Sequence, residues 1–304
     1  MLTVPKEVII KEVGPRDGLQ NQPSEVPAED KINWINQLTE AGYSYIEISS
    51  FVHPKWIPQL KDARQVAAGI KRDPSVTYAA LVPNMKGLEG ALETDVDEIS
   101  VFMSASETHN KKNINKSLSE TYPVLKEVID EARLAGKTVR GYVSTVFGCP
   151  YEGDIPTDQV IEVSKRLFDL GIEELSLGDT IGAANPLQVD RVLTELEKHF
   201  TFGQLAMHFH NTRGMALANT LVSLEHGIIT FDGALGGLGG CPYAKGASGN
   251  VATDDLVHML HQMDIRTGID ETKLQKAARF IQSKLNSALP SHQMQIWNKQ
   301  QEEG

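Results

Sequence analysis

A short apolar strand followed by an amphipathic helix recurs eight times along this chain, and that alternation limits the folds open to it. Strand periodicity shows in Tyr45–Ser49, where Ile46 and Ile48 alternate with Tyr45, Glu47 and Ser49. Helical spacing follows or precedes it each time, as in 27–42, where Ile32, Ile35 and Leu38 share a face and Gly42 ends the run. By the same reading, strands are expected at 7–13, 45–49, 76–82, 98–103, 138–146, 174–177, 205–210 and 228–234. The helices expected between and after them are 27–42, 58–70, 85–93, 119–135, 157–170 (capped by Thr157), 186–199, 215–226 and 250–263. Consecutive strands separated by helices are parallel, and eight such units over about 250 residues make a (β/α)8 TIM barrel. A doubly wound open sheet is the alternative. It has fewer units and a GxGxxG turn after its first strand, and Gly14-Pro15-Arg16-Asp17-Gly18 is not that turn. The barrel is expected to occupy residues 1–268. Residues 269–304 would add a short C-terminal helical extension, with a helix at 271–285 and a polar tail.

The net charge of −11 argues against a nucleic-acid ligand, which needs a basic face. An anionic small substrate stays open, because a local basic patch or a bound cation supplies counter-charge. No apolar run approaches the roughly 18 residues of a membrane span. Neither end of the sequence reads as a signal, transit or lipidation segment, so a cytoplasmic protein is expected. Of the two cysteines, Cys149 is expected to be structural, and Cys241 is judged as a thiol.

Chemistry in such a barrel sits at the C-terminal ends of the strands. Arg16 and Asp17 follow the first strand, Glu47 lies near the end of the second and Asp179 follows the sixth. His208 and His210 close the seventh, two residues apart, so strand parity turns both imidazoles to one face. Phe209, between them, should face the helix layer. Cys241 lies on the loop after the eighth strand, behind Gly236-Gly237-Leu238-Gly239-Gly240, and Asn250 opens the helix that follows. Each residue alone has an ordinary explanation as a turn, a cap or a carbonyl-bonded histidine. Such groups at five strand ends point to one shared site. Two imidazoles, the Asp17 carboxylate and the Asn250 amide oxygen suit a divalent cation. Mg²⁺ or Mn²⁺ fits the oxygen content, with Zn²⁺ or Fe²⁺ also compatible. Arg16 suits a developing enolate, and Cys241 a proton donor on a mobile loop. The glycine run equally fits a phosphate-binding nest.

Four segments together resemble the 3-hydroxy-3-methylglutaryl-CoA lyase family: Gly14-Pro15-Arg16-Asp17-Gly18-Leu19-Gln20-Asn21, Ser176-Leu177-Gly178-Asp179-Thr180-Ile181-Gly182, His208-Phe209-His210-Asn211-Thr212-Arg213-Gly214 and Gly236 through Ala244 with Cys241. The likeness runs from about Val4 to Asp264. Related synthases share the Arg-Asp and His-x-His elements, whereas the cysteine loop belongs to the lyases. The resemblance implies a TIM barrel that cleaves 3-hydroxy-3-methylglutaryl-CoA to acetyl-CoA and acetoacetate. It also implies metal ligands at Asp17, His208, His210 and Asn250, an enolate-stabilising Arg16, an acid behind the ligands at Glu47, an active-site Asp179 and a mobile-loop thiol at Cys241. A family glutamate falls on Asp254, one methylene shorter. The leader and the C-terminal cysteine of some eukaryotic members have no counterpart here, which favours a bacterial-type cytoplasmic enzyme.

The mechanism expected from this set removes the substrate's tertiary hydroxyl proton, with Asp179 as the favoured base, and returns a proton from Cys241. Tyr142 and Ser176 are expected as substrate contacts. Lys111 and Lys112, in 110–116 after the fourth strand, would face the CoA phosphates. A homodimer is expected, with an acyl-CoA as the small-molecule partner. A condensing synthase of the same superfamily is the alternative, and it usually needs a longer chain. A non-enzymatic metal-binding barrel leaves Cys241 without a purpose.

Overall fold

Eight parallel strands close into a barrel in a computed structural model that describes residues 3–241 and 244–302. The side chains of residues 241, 244–248, 301 and 302 lie outside that description. The strands are β1 (Ile9–Glu12), β2 (Tyr45–Ser50), β3 (Thr77–Leu81), β4 (Glu98–Ser104), β5 (Thr138–Ser144), β6 (Glu174–Asp179), β7 (Leu205–Phe209) and β8 (Thr230–Gly233). Each pairs in parallel with the next, and β8 pairs with β1 through Ile9–Thr230 to Glu12–Gly233, which closes the cylinder. Closure leaves none of the eight barrel strands with a free edge. The helices around it are α1 (Ala28–Glu40), α2 (Ala63–Gly69), α3 (Met85–Leu92), α4 (Glu107–Ile114), α5 (Leu118–Leu134), α6 (Thr157–Leu170), α7 (Pro186–Leu196), α8 (Ala216–Glu225) and α9 (Thr253–Gln262). A two-stranded ribbon of β9 (Gly240–Cys241) and β10 (Ala244–Ser248) follows β8, and α10 (Glu271–Lys284) and α11 (His292–Glu302) end the described chain. No helix among the described residues is long and apolar enough to cross a membrane.

The expected eight-unit barrel is therefore present, with local departures. The stretch expected as one helix at 58–70 splits into a 3-10 turn, Pro58–Leu60, and α2. Thr157 is the first residue of α6 rather than its cap; Pro156 holds the cap position, with no side-chain bond. Asn250 does not open a helix. It bridges to His210, and α9 starts three residues later. The tail carries α11, whose Met294 and Trp297 are buried.

An extra helix, α4, covers the stretch that carries Lys111 and Lys112. Its sequence Glu107-Thr-His-Asn-Lys-Lys-Asn-Ile114 has no apolar stripe, so helical periodicity in hydrophobic residues does not reveal it. Polar bonds hold it instead. Ser106 caps its first turn through His109 N–H at 3.0 Å. Buried Asn110 accepts from Ser104 N–H at 3.0 Å and donates to the Lys116 carbonyl at 2.9 Å and to Thr121 Oγ1 at 2.8 Å.

At the top of β1, Glu12 is fully buried and ties three parts of the barrel together. Its carboxylate accepts from Gly14 N–H (2.8 Å), Leu235 N–H (2.9 Å), Tyr43 Oη (2.8 Å) and Thr253 Oγ1 (2.9 Å). Burial raises its pKa to about 7 despite these four donors. Glu12→Ala would leave all four donors buried and unsatisfied. It should lower the unfolding free energy by about 3 kcal/mol or more, read from urea denaturation of the purified protein.

Candidate active site

The C-terminal mouth of the barrel brings together Arg16, Asp17, Glu47, Tyr142, His208, His210 and Asn250. After β1 the chain makes a single π turn, Gly14–Gly18, in which the N–H groups of Arg16, Asp17 and Gly18 converge on the Val13 carbonyl at 2.7–3.2 Å. The turn places Arg16 and Asp17 side by side. Arg16 is buried between two acids: Nε donates to Glu47 Oε2, and Nη1 donates to Asp17 Oδ1 at 2.5 Å. The guanidinium also lies over the Tyr142 ring, 5.4 Å from its centroid. Burial alone would pull its pKa down, but Glu47 and Asp17 outweigh burial and hold it above the ordinary arginine value. Arg16 is thus a fixed cation with a fixed plane.

Asp17, His208 and His210 each offer a ligand atom, and these atoms lie within 4.8 Å of one another. The two imidazoles lie on one side, ring centroids 5.3 Å apart, as strand parity demands. Phe209 turns the other way and packs on Phe147, centroids 5.9 Å apart. Asn250 closes the set from the loop after β10: Nδ2 donates to Asp17 Oδ2 at 2.7 Å and to the Leu238 carbonyl at 3.1 Å. Its Oδ1 and the Nδ1 of His210 are buried with no hydrogen-bond partner among the described residues. Buried polar atoms are rarely left so, and unpartnered atoms on two residues bonded or clustered with Asp17 and His208 fit a cation. Protonation agrees with this. Burial raises the Asp17 pKa, but Arg16 and the histidines lower it further, to about 2. Burial and His208 depress His210 to about 4. At neutral pH the carboxylate is ionised and His210 is neutral, the forms that bind metal.

Two residues beneath this cluster carry no such sign in the sequence. Asp232, the register partner of His208 on β8, lies 3.2 Å from His208 Nδ1. Nδ1–H donation to this acid leaves the Nε2 lone pair on the Asp17 side, 3.9 Å from Asp17 Oδ2. Arg140 on β5 reaches across the barrel to Asp232 with bonds of 2.7 and 3.3 Å and also pairs with Glu174 at 2.5 Å. Burial raises the Asp232 pKa, but Arg140 and His208 outweigh burial and hold it well below the usual carboxylate range. Both residues sit mid-strand in apolar runs, where a lone charge gives no sign of what it faces across a closed barrel.

The other expected site residues separate into several groups. Asp179 is the last residue of β6 rather than a loop residue, and its carboxylate accepts from Ala183 N–H (2.8 Å) and Ala184 N–H (3.1 Å). Burial raises its pKa to about 6. Tyr142 donates to Glu47 at 3.3 Å, and its ring stands nearly perpendicular to that of His208, centroids 6.3 Å apart. Ser176 is buried, and its hydroxyl donates to Asp232 at 2.8 Å, so it supports the acid under His208. Lys111 and Lys112 stand apart on α4 and are exposed, Lys111 paired with Glu107 at 2.8 Å and Lys112 over the Tyr151 ring. Cys149 is buried, its thiol 3.0 Å from Ser106 Oγ. The Cys241 side chain lies outside the described residues. The glycine run is not an anion nest at its start, because Leu235 and Gly236 N–H already donate to Glu12 and Asp254.

Asp232→Asn should weaken Mn²⁺ binding ten- to a hundredfold, because the amide no longer selects the Nδ1–H tautomer of His208. Titration of the purified protein with Mn²⁺, followed by electron paramagnetic resonance, measures this directly, and an unchanged Kd would remove Asp232 from the site.

The sequence matches the HMGL-like family over residues 7–281. It is 61% identical to the hydroxymethylglutaryl-CoA lyase of Bacillus subtilis, over 96% of this chain and 98% of that one. The crystal structure of the Bacillus subtilis HMG-CoA lyase superposes with a TM-score of 0.96, covering 97% of this chain and 99% of that one. An HMG-CoA lyase from Acinetobacter baumannii, solved with coenzyme A and 3-methylmalate, is 41% identical with a TM-score of 0.91 over 96% of this chain and 95% of that one. The chain therefore belongs to the HMGL-like family, among the hydroxymethylglutaryl-CoA lyases, whose reaction splits a carbon–carbon bond of 3-hydroxy-3-methylglutaryl-CoA to give acetyl-CoA and acetoacetate.

Proposed function

We propose that Asp17, His208, His210 and Asn250 hold a divalent cation, Mg²⁺ or Mn²⁺, and that Arg16, Asp179 and Cys241 carry the proton and charge movements of the cleavage. The observation that carries this reading is the cluster of ligand atoms of Asp17, His208 and His210, within 4.8 Å of one another, with Asn250 bonded to Asp17 through Nδ2 and its Oδ1 buried without a hydrogen-bond partner among the described residues. Bound there, the ion supplies Lewis acidity toward the substrate's oxygens.

Asp179 takes the proton of the tertiary hydroxyl. A pKa of about 6 leaves it ionised at neutral pH and still basic enough to accept that proton. The C3–O bond then becomes a carbonyl, the C2–C3 bond breaks, and its electron pair passes into the thioester as an enolate. Arg16 meets the enolate oxygen. Glu47 takes its Nε and Asp17 its Nη1, so the Nη2 side remains to face the growing charge without reorganisation. Tyr142, under the guanidinium and bonded to Glu47, keeps that pair in place. The Cys241 thiol protonates C2 to give acetyl-CoA, and the other fragment leaves as acetoacetate. The thiol's part rests on the family resemblance of its loop.

Lys111 and Lys112 are proposed to meet the CoA phosphates. They stand on α4, which leaves β4 at the mouth of the barrel, and they bring positive charge to a protein of net charge −11. The reading also places the enzyme in the cytoplasm as a homodimer, and sedimentation of the purified protein tests the second point.

Incubation with 3-hydroxy-3-methylglutaryl-CoA and Mg²⁺ or Mn²⁺ should release acetoacetate, and chelation of the metal should stop it; a chelated, metal-free enzyme at full rate would end the cation assignment. Arg16→Lys keeps the charge but loses the planar fork. It should lower kcat about 10²- to 10³-fold with a small change in KM, measured by the same assay. Replacing both Lys111 and Lys112 by Ala should raise KM and leave kcat near wild type; a KM that does not move would free the lysines of this role.

A further inference from the structure

The C-terminal segment Leu289–Gln293 returns to the mouth of the barrel and fastens onto the base of the glycine loop. Gly236 and Gly237 lie in the left-handed region, with φ of +71° and +73°. A side chain on Gly236 would run into Leu289, and one on Gly237 would come within 3.3 Å of Pro290. Ser291 N–H donates to the Gly236 carbonyl at 3.2 Å. Asp254 on α9 joins the two segments: one carboxylate oxygen accepts Gly236 N–H at 2.8 Å and the other accepts the Ser291 hydroxyl. Asp255 beside it accepts His292 N–H and Nδ1 at 3.1 Å and Gln293 N–H at 2.8 Å. Ser291, Asp254 and Leu289 are buried.

What the strap holds lies against Asn250 of the candidate cation site and against Gly18, the neighbour of Asp17. Leu238, next in the loop, gives its carbonyl to Asn250 Nδ2 at 3.1 Å. Leu238 Cβ packs so close to Gly18 that a side chain there would meet it at 2.8 Å, and Gly18 follows Asp17. Asn250 itself fits against Gly239, where a Cβ would lie 2.7 Å from Nδ2. The path from Ser291 and Asp254 to the ligand set is therefore one peptide turn, Gly236–Leu238, and one hydrogen bond to Asn250.

We propose that Ser291 and Asp254 are positioning residues of the active site: the strap Leu289–Gln293 clasps the Gly236–Leu238 turn and thereby sets where Asn250 presents its amide oxygen. The extension at 269–304 then belongs to the working site as well as to the outer helix layer. The inference rests on the cation reading above, so its test carries a readout that does not depend on that reading. The strap's bonds to the loop and to α9 run to Gly236, Asp254 and Asp255, so its effect is on geometry rather than on chemistry.

The test uses the full-length protein with Ser291→Ala and Asp254→Ala, singly and together, and with Asp17→Ala for comparison. Mn²⁺ affinity is read by electron paramagnetic resonance titration, and amide hydrogen exchange is followed by mass spectrometry in segments covering 234–241 and the strands β4 to β6. Ser291→Ala should weaken Mn²⁺ binding about tenfold and speed exchange in 234–241, with β4 to β6 as in wild type. The double variant should lose no more affinity than Asp254→Ala alone, because both residues act through one clasp. Wild-type Mn²⁺ affinity in Ser291→Ala overturns the positioning role, even if exchange rises. Faster exchange in every segment at once also overturns it, since that is plain destabilisation. If Asp17→Ala leaves Mn²⁺ affinity intact, the cation reading fails, and exchange at 234–241 alone then decides whether the clasp exists.

Discussion

A closed barrel with a charged interior depends on how its buried ions are paired, and here the pairing converges on Asp232. This one carboxylate accepts the Arg140 fork, the Ser176 hydroxyl and the His208 imidazole, all within 2.7–3.3 Å. Arg140 passes the link on to Glu174, and Glu174 to Lys11 at 2.7 Å, so strands β1, β5, β6, β7 and β8 share one electrostatic ladder. A buried ion of this ladder would cost several kcal/mol if left alone, and the chain of partners offsets that cost. The ladder's upper end is the imidazole that faces Asp17. Folding the barrel and orienting a candidate ligand are, at this point, the same set of bonds.

A second buried acid does comparable work on the outside of the mouth. Glu12 gathers donors from the turn after β1, from Tyr43, from the loop after β8 and from α9. Those are the parts that must be held still for Arg16, Asp17 and Asn250 to stay in register. Asp254 does the same one step further out for the glycine turn and the C-terminal strap. The site is thus surrounded by carboxylates that bind backbone amides and hydroxyls. The groups of the candidate cation site need not supply their own rigidity, and this is how a loop residue such as Asn250 joins strand residues in one constellation.

Much of the architecture was legible in the sequence because its signals are local. Period-2 runs and 3.6-period faces are written in neighbouring residues, and their eightfold recurrence leaves few folds. Arg16, Asp17, His208 and His210 were legible for the same reason: adjacency and strand parity place each pair on one face. Elements held by polar contacts were harder to read. The apolar pattern of α4 is blank because Ser106 and Asn110 hold it, and α11 reads as a polar tail because its buried face is reduced to residues such as Met294 and Trp297. Asn250 looked like a helix start because asparagine is a common cap. Its bridge to His210 appears once β7 and the loop after β10 are brought together.

By itself, the sequence determined the strand–helix order, the end of the barrel where chemistry gathers, the direction both imidazoles face and the family likeness carried by four short motifs. Each of these follows from residues close together in the chain. The tertiary structure decided which charges meet: that Asp232 lies under His208, that Arg140 crosses the barrel to it, that Ser176 serves this acid, and that Ser291 reaches Asp254 and Gly236. Those contacts join residues 24 to 92 positions apart, as in His208–Asp232 and Arg140–Asp232. Long-range pairing of this kind is set by barrel closure and strand register, and neither leaves a periodic mark in the residues themselves.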